Sequence, residues 1–297
     1  MRNIPDTGAQ TKDISSMNWG SLFWISLMHV GAIFALYSVS SANLTANLTA
    51  LIVMYFLTGC IGITLTYHRM LAHRTFSTPK WFERICVTFG ALAMQGGPIK
   101  WTGIHRQHHS HPDTEMDPHN SRAGFWYCHM GWVLRWKEQF DSTDKIKKFS
   151  RDISTDPYYR WLDTVAGQLI PQFILAACLY ALGGFSMVLW GVCLRMVLVY
   201  HATWCVNSAT HFFGYRNYDI NDYSRNTWWV ALITFGEGWH NNHHAIQNVA
   251  EAGHKWWEFD TTMFVIRVLK SMGLVHKLKS IHDRPLTSAR DELKASA

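Results

Sequence analysis

The chain has 297 residues, a net charge of +6 and 48% hydrophobic residues, enough to bury a sizeable core. Its six cysteines are scattered without a CxxC pair, which excludes a zinc ribbon, an iron–sulfur cluster and a disulfide framework. No basic recognition helix accompanies the positive charge, so the expected partner is an anionic membrane surface and no nucleic acid.

In chain order, residues 20–39 and 48–66 carry no charge, residues 164–190 carry none, and residues 187–206 hold only Arg195. Each run is near the ~20 residues that cross a bilayer. The pattern predicts four spans, at 20–39, 48–66, 164–184 and 187–206. They pair as two hairpins, one joined by SSANLTAN (40–47) and one by a GGFS turn (183–186). Of the 27 basic residues, 2 precede the first span, 14 lie between residues 67 and 163, 1 is inside the last span and 10 follow residue 206. By the positive-inside rule, both termini and the polar lobes 67–163 and 207–297 face the cytoplasm. Residues 1–297 read as one domain of an all-α integral membrane protein, multi-pass, with a cytoplasmic helical cap. The short apolar run 85–98 belongs at the interface or under the lobe. Residues 141–160 are charged and are expected to be solvated, and the tail after Pro285 to be loosely ordered.

The 17 histidines concentrate at four places: H68-RMLA-H73, H105-RQ-H108-H109, H240-NN-H243-H244, and His211 in NSATH. Positions i, i+3 and i+4 share a helix face, so each HxxHH can aim three imidazoles at one point or at two neighbouring points. His68 and His73 are five apart, roughly 140° on an α-helix, and are expected to diverge. All four places fall on one predicted membrane side. Nine imidazoles exceed the four ligands of a closed zinc site and suit a dinuclear centre of Zn, Cu, Fe or Ni with open positions. A metal transporter would instead place polar groups near the bilayer midplane. Of the other histidines, His29 and His201 lie within spans and read as hydrogen-bonded groups. His111, His119 and His129 sit near the second box without its spacing.

HRMLAH, HRQHH and HNNHH, with YHRMLAHRTF, QGGPIKWTGIHRQHH, DPHNSRAGFWYCHMGW, NSATHFFGYRNY and TFGEGWHNNHH around them, resemble the membrane fatty-acid desaturases from about Gly62 to Phe259. The QGGPI and GEGWHNNHH contexts are similar to the Δ9 acyl desaturase branch, stearoyl-CoA desaturase-like and of bacterial, cyanobacterial and plant type. The resemblance implies an O2-dependent di-iron desaturase that puts a cis double bond, at Δ9, into an acyl chain carried by CoA, acyl-carrier protein or a glycerolipid. The alternative is a membrane di-iron hydroxylase of lipid or alkane. It further implies that His68, His73, His105, His108, His109, His211, His240, His243 and His244 hold two irons, the centre doing the chemistry itself. Asn207 stands where the family has an asparagine reaching iron through water, and Trp101 where a tryptophan flanks the acyl tunnel. Asn217 departs from the proline expected after GYR, which leaves the metal site untouched but puts the local turn in question. A bacterial inner membrane is the favoured location.

Ligating imidazoles need acceptors for their second N–H, and Asp117 and Glu237, with Asp113 and Asp260, are the candidates near the boxes. The chain shows no haem motif or flavin fingerprint, so the electrons call for a separate ferredoxin, flavodoxin or cytochrome b5-like donor. Lys137, Lys145, Lys147 and Lys148 could attract it. Lys100 and Arg106 are candidate contacts for a substrate phosphate.

Overall fold

In the computed structural model the described residues are 17–37, 39, 43–137 and 143–283, and among them the secondary structure is helical with only isolated bridges. Three helices are long and apolar enough to cross a membrane: Trp19–Tyr37, Leu44–Ala72 and Val165–Phe212. Their outer faces expose Phe23, Phe34, Ile52, Phe173 and Leu182, side chains that water would not tolerate in such numbers. The tail after Pro285 and residues 40–42 of the first connector lie outside the described residues.

Asn18 starts the first helix, its Oδ1 accepting from the Ser21 N–H at 3.0 Å. The second helix has 29 residues. At ~1.5 Å per residue it outruns the ~30 Å hydrocarbon layer, so its last turns rise into the polar lobe. The third apolar run has 48 residues and breaks at Gly183 (φ −152°, ψ 18°) and Gly184 (φ 70°, ψ −166°). The positive φ at Gly184 suits a residue without Cβ. The chain folds back there: Gln172 Oε1 accepts from Arg195 Nη2 at 3.4 Å, although a straight helix would hold residues 23 apart some ~34 Å away. Arg195 is fully buried; it donates to Leu92 O (2.7 Å) and Gly191 O (3.1 Å). Asn47 Nδ2 reaches Ser186 Oγ at 2.7 Å, tying the second helix to the fold-back.

The polar lobe packs on the end of the second helix. The Lys80–Ala91 helix, which overlaps the run 85–98 expected near the interface, approaches it so closely that a Cβ on Gly62 would lie 2.5 Å from Gly90 N and 2.6 Å from Phe89 O. Backbone cannot yield as a side-chain tip can. Gly62→Ala is expected to cost about 1–3 kcal/mol by forcing the two helices apart, read as a lower apparent Tm of the detergent-solubilised protein. Of the charged stretch 141–160 the described residues, 143–160, are not simply solvated as their charge suggested. Ile146, Ser150 and Tyr159 are buried, and Ile146 fills the space above Gly103 of the Pro98–Ser110 helix. The apolar residues interleaved in that charged stretch outweighed its mean polarity.

Candidate metal centre

The first histidine box is set by an unusual winding. Residues Phe56–Ala72 form a π-helix, and the His73 N–H donates to the His68 carbonyl, an i→i+5 bond. That winding stacks residue 73 over residue 68, and their rings stand 4.8 Å apart. The divergence expected from α-helical geometry therefore does not occur. The second box lies on the Pro98–Ser110 helix, started by Pro98 after Gly97. The third forms the short His240–Ala245 helix, and His211 lies on Ala209–Phe212.

All nine imidazoles converge, in two neighbouring groups. His68, His73, His105, His109 and His243 offer ring nitrogens within 4.8 Å of one another, and so do His108, His211 and His240. His244 joins the second group, its Nε2 lying 3.1 Å from His108 Nε2. Each HxxHH is thus divided between the groups, which touch where the His109 and His244 rings lie 4.6 Å apart.

Carboxylates fix the protons on several rings. Glu237 Oε2 takes His68 Nδ1 at 2.8 Å, Asp117 Oδ2 takes His108 Nδ1 at 2.9 Å, and Asp222 Oδ2 takes His244 Nδ1 at 2.9 Å. Asp113 Oδ1 stands 3.3 Å from His211 Nδ1. A carboxylate only accepts, so His108 and His244 carry their protons on Nδ1 and turn bare Nε2 lone pairs towards each other at 3.1 Å. Two lone pairs at that distance repel unless a cation lies between them. The other close Nε2 pairs are His73–His105 at 2.8 Å, His68–His243 at 3.0 Å and His109–His243 at 3.0 Å. Two nitrogens ~2.1 Å from one ion and at right angles would stand ~3.0 Å apart. His211 Nε2 and His240 Nε2 are buried with no hydrogen-bond partner. The donor set fits metal.

The electrostatics agree. Burial first, then neighbouring imidazoles, holds His73, His105, His109, His240 and His243 far below the usual histidine range, keeping them in the neutral form that ligates. Burial opposes ionisation of Asp113 and Asp222. The His211 imidazole and the Ser121 hydroxyl nonetheless hold Asp113 well below the usual carboxylate range, and His244 and Ser224 do the same for Asp222.

Of the carboxylates singled out near the boxes, Asp117, Glu237 and Asp113 lie beside histidines. Asp260 instead pairs with Arg69 Nη1 at 2.8 Å and caps the Thr261–Ser271 helix through the Met263 N–H. Asp222 and Arg69 went unnoticed, and His119, set aside for lacking the box spacing, has its ring 4.2 Å from that of His108. Asp222 lies 22 residues before its histidine, in a loop, and no local spacing signals it. Asn217 is not remote from the site. Its N–H donates to Asn241 Oδ1 (2.8 Å) and its Nδ2 to Asn242 Oδ1 (2.7 Å) and Glu258 Oε1 (2.7 Å), bracing the third box from behind. A proline there would lack all three of these bonds, having neither the N–H nor the side-chain amide.

A cavity descends from the histidines between the second and third long helices. Tyr55, Gly59, Ile63, Val199, Val206 and Phe235 wall its apolar part, and Trp101 and Asn207 border it beside His68, His105, His108 and His240. Trp101 stacks on His105 at 5.1 Å. A separate pocket is bordered by Lys100, Lys147, Arg160 and Asp163, with Ile99 and Ile146. Arg106 is not available to a phosphate: it donates to Leu71 O, Ala72 O, Phe149 O and Asp152. Lys137 lies over the Tyr127 ring at 4.9 Å.

Comparison with known proteins bears on this arrangement. The sequence pattern of the family described as Fatty acid desaturase matches residues 43–261. The sn-1 stearoyl-lipid 9-desaturase of Anabaena variabilis is 47% identical over 89% of this chain and 94% of its own. The sn-2 palmitoyl-lipid 9-desaturase of Nostoc sp. (strain 36) is 44% identical over 89% of this chain and 92% of its own. The acyl-CoA C20 Delta5-desaturase of Anemone leveillei is 36% identical over 94% and 90%. A family match over most of the chain, relatives alike over nearly their whole length and a buried convergence of nine imidazoles lead to one conclusion: this chain belongs to the fatty acid desaturase family, whose members are oxidoreductases.

Proposed function

We propose that this protein is a di-iron acyl-lipid 9-desaturase, with four spans in two hairpins and the metal centre on the cytoplasmic side of a bacterial inner membrane. The observation that carries the metal reading is the facing pair of bare His108 and His244 nitrogens within a ring of nine imidazoles. The identity of two relatives named stearoyl- and palmitoyl-lipid 9-desaturases supports the acyl-lipid carrier and the 9 position, with acyl-CoA the second choice. The fold-back at Gly183–Gly184 supports counting Val165–Phe212 as two spans. The excess of Lys and Arg in the polar lobe supports its cytoplasmic placement.

His68, His73, His105, His109 and His243 would hold one iron, and His108, His211, His240 and His244 the other, with Asn207 reaching the second through water. When bound, the iron pair supplies, with O2, the oxidising power to strip hydrogens from two unactivated methylenes, which no side chain provides. The chain's own residues orient and enclose. Glu237, Asp117 and Asp222 keep protons on Nδ1, so that Nε2 stays directed at metal. The apolar cavity walls desolvate an alkyl chain and lay it beside His105 and Trp101. Lys100, Lys147 and Arg160 suit a headgroup phosphate at the neighbouring pocket. Reducing equivalents come from a ferredoxin-, flavodoxin- or cytochrome b5-like donor.

Gas chromatography–mass spectrometry of fatty acids from a desaturase-deficient host expressing this chain tests the reading. New monounsaturated acids with the double bond at carbon 9 are expected. Hydroxy acids in their place would reassign the protein to the hydroxylases. Asp222→Asn removes the acceptor that orients His244 and is expected to weaken metal binding about 10–100-fold, measured by iron retention against a competing chelator.

A further inference from the structure

Two segments of the second polar lobe bond to the second long helix inside its uncharged run 48–66. Near the middle of that run, the Tyr55 hydroxyl donates to Ile233 O at 2.6 Å. The Phe235 ring lies 5.4 Å from that of Tyr55 and 5.8 Å from that of Phe56. Near the end of the run, Thr64 Oγ1 lies 2.7 Å and Cys60 Sγ 3.7 Å from Thr262 Oγ1. The Thr262 N–H donates to Phe235 O at 2.9 Å, tying the two segments together. The Trp228–Ile233 helix and the start of the Thr261–Ser271 helix therefore lie alongside residues that cross a bilayer.

Both segments turn apolar side chains outward. Val230 and Ala231 are buried, whereas Trp228, Trp229 and Leu232 are exposed, Leu232 at 70%. Met263 and Ile266 are buried, whereas Phe264, Val268 and Met272, spaced four apart, form an exposed stripe. Phe259 and Trp256, the latter 92% exposed, extend it. A patch of this extent marks an interaction surface. What adjoins it says what covers it. Exposed Ile52 and Val53 stand just before Tyr55 on the second long helix, so the patch continues that helix's apolar outer face. The polar groups on the seam pair with one another, as hydrocarbon requires: the Ile233 carbonyl takes the Tyr55 hydroxyl. Lys255, Arg267 and Lys270 are exposed at the margin. The acids there are taken up, Asp260 by Arg69 and Glu258 by Asn242 and Tyr215. A cationic margin around an apolar face suits anionic headgroups.

We propose that residues 228–235 and 259–272 are seated in the cytoplasmic leaflet of the bilayer. Lipid acyl chains lie against Leu232, Phe264 and Val268, and anionic headgroups against Lys255, Arg267 and Lys270. The second lobe is thus sunk into the membrane and does not merely rest on it. The seating follows from packing; its use rests on the desaturase reading. Ile233 is exposed on the outer face and, with Phe235, also lines the cavity beside the metal centre. One layer of side chains separates that cavity from leaflet lipid, so a lipid-borne acyl chain reaches it without crossing water.

Photolabelling of the unsubstituted full chain tests the seating without turnover. The protein is reconstituted in phosphatidylcholine–phosphatidylglycerol vesicles that include a phosphatidylcholine with a diazirine on one acyl chain. Mass-spectrometric mapping is expected to find lipid adducts on Leu232, Phe264 and Val268, as on Ile52 and Phe173 of the long helices. None is expected on Met116, which is exposed in the loop after the second box. Adducts confined to the long helices would overturn the seating. As a second readout, Leu232→Cys and Phe264→Cys are expected to gain no label from a charged, membrane-impermeant maleimide in open membrane fragments until SDS is added. The gain is counted above the unsubstituted protein, and Met116→Cys shows it at once. Labelling of both cysteines in the intact membrane overturns the proposal. Protection without lipid adducts also overturns it, by assigning the patch to a second copy or another protein. If the unsubstituted protein yields no unsaturated product, the desaturase reading fails, while both labelling patterns still decide the seating.

Discussion

Replacing His243 by alanine is expected to remove unsaturated product altogether and to lower bound metal by at least one ion per chain. His243 Nε2 lies 3.0 Å from His68 Nε2 and 3.0 Å from His109 Nε2. It is the member of the five-histidine group supplied by the third box, and it closes that group against the first and second boxes. Its loss opens a buried, imidazole-sized void among the neutral rings of His73, His105 and His109, which offer water little to bond. Removing a carboxylate behind a ligand typically costs 10–100-fold, so losing the ligand should cost more than ~100-fold in activity. Metal analysis of the purified protein beside product analysis of expressing cells measures both. His282→Ala, at an exposed position, is the control. Full metal content in His243→Ala would remove this residue from the ligand set.

Arg69→Met should destabilise the whole lobe by about 3–5 kcal/mol. Arg69 sits inside the first box and is 2% exposed. Its guanidinium bonds Glu237 Oε1 at 2.9 Å, Asp260 Oδ2 at 2.8 Å and Ala250 O at 2.7 Å. Methionine fills the volume but leaves two carboxylates buried without their cation. Glu237 is then worse placed to orient His68, and Asp260 to start the Thr261–Ser271 helix. An apparent Tm lowered by roughly 10 °C in detergent, with weaker metal retention, is the expected result. Arg69→Met with an unchanged Tm would mean that these carboxylates are compensated elsewhere. A Glu237→Gln, Arg69→Met double variant should recover part of the loss, since it removes one of the stranded charges.

Much of the protein was legible in its residue order. The apolar runs were visible because a membrane-crossing helix must carry some twenty uncharged residues in a row, whatever its neighbours do. The nine imidazoles were visible because ligating residue types recur at short spacings, and the surrounding strings carried the family resemblance. The glycine pair at Gly183–Gly184 coincides with a break in the third apolar run, where the positive φ of Gly184 excludes most residues. The division of the histidines was not legible. Spacing assigns a helix face, whereas the partner nitrogen is assigned by where three separate helices cross. The π-winding of Phe56–Ala72 also turned His73 back over His68, which α-helical counting cannot anticipate. Asp222, Asn217 and Arg69 act through contacts made across 22 to 191 positions of chain. So do Tyr55 and Thr64, which come into hydrogen-bond reach of residues 178 and 198 positions away. Residue order determined which chemistry was present and on which helices. Only tertiary packing decided which lone pairs meet, because a hydrogen bond or a metal edge is a condition on distance in space, not along the chain.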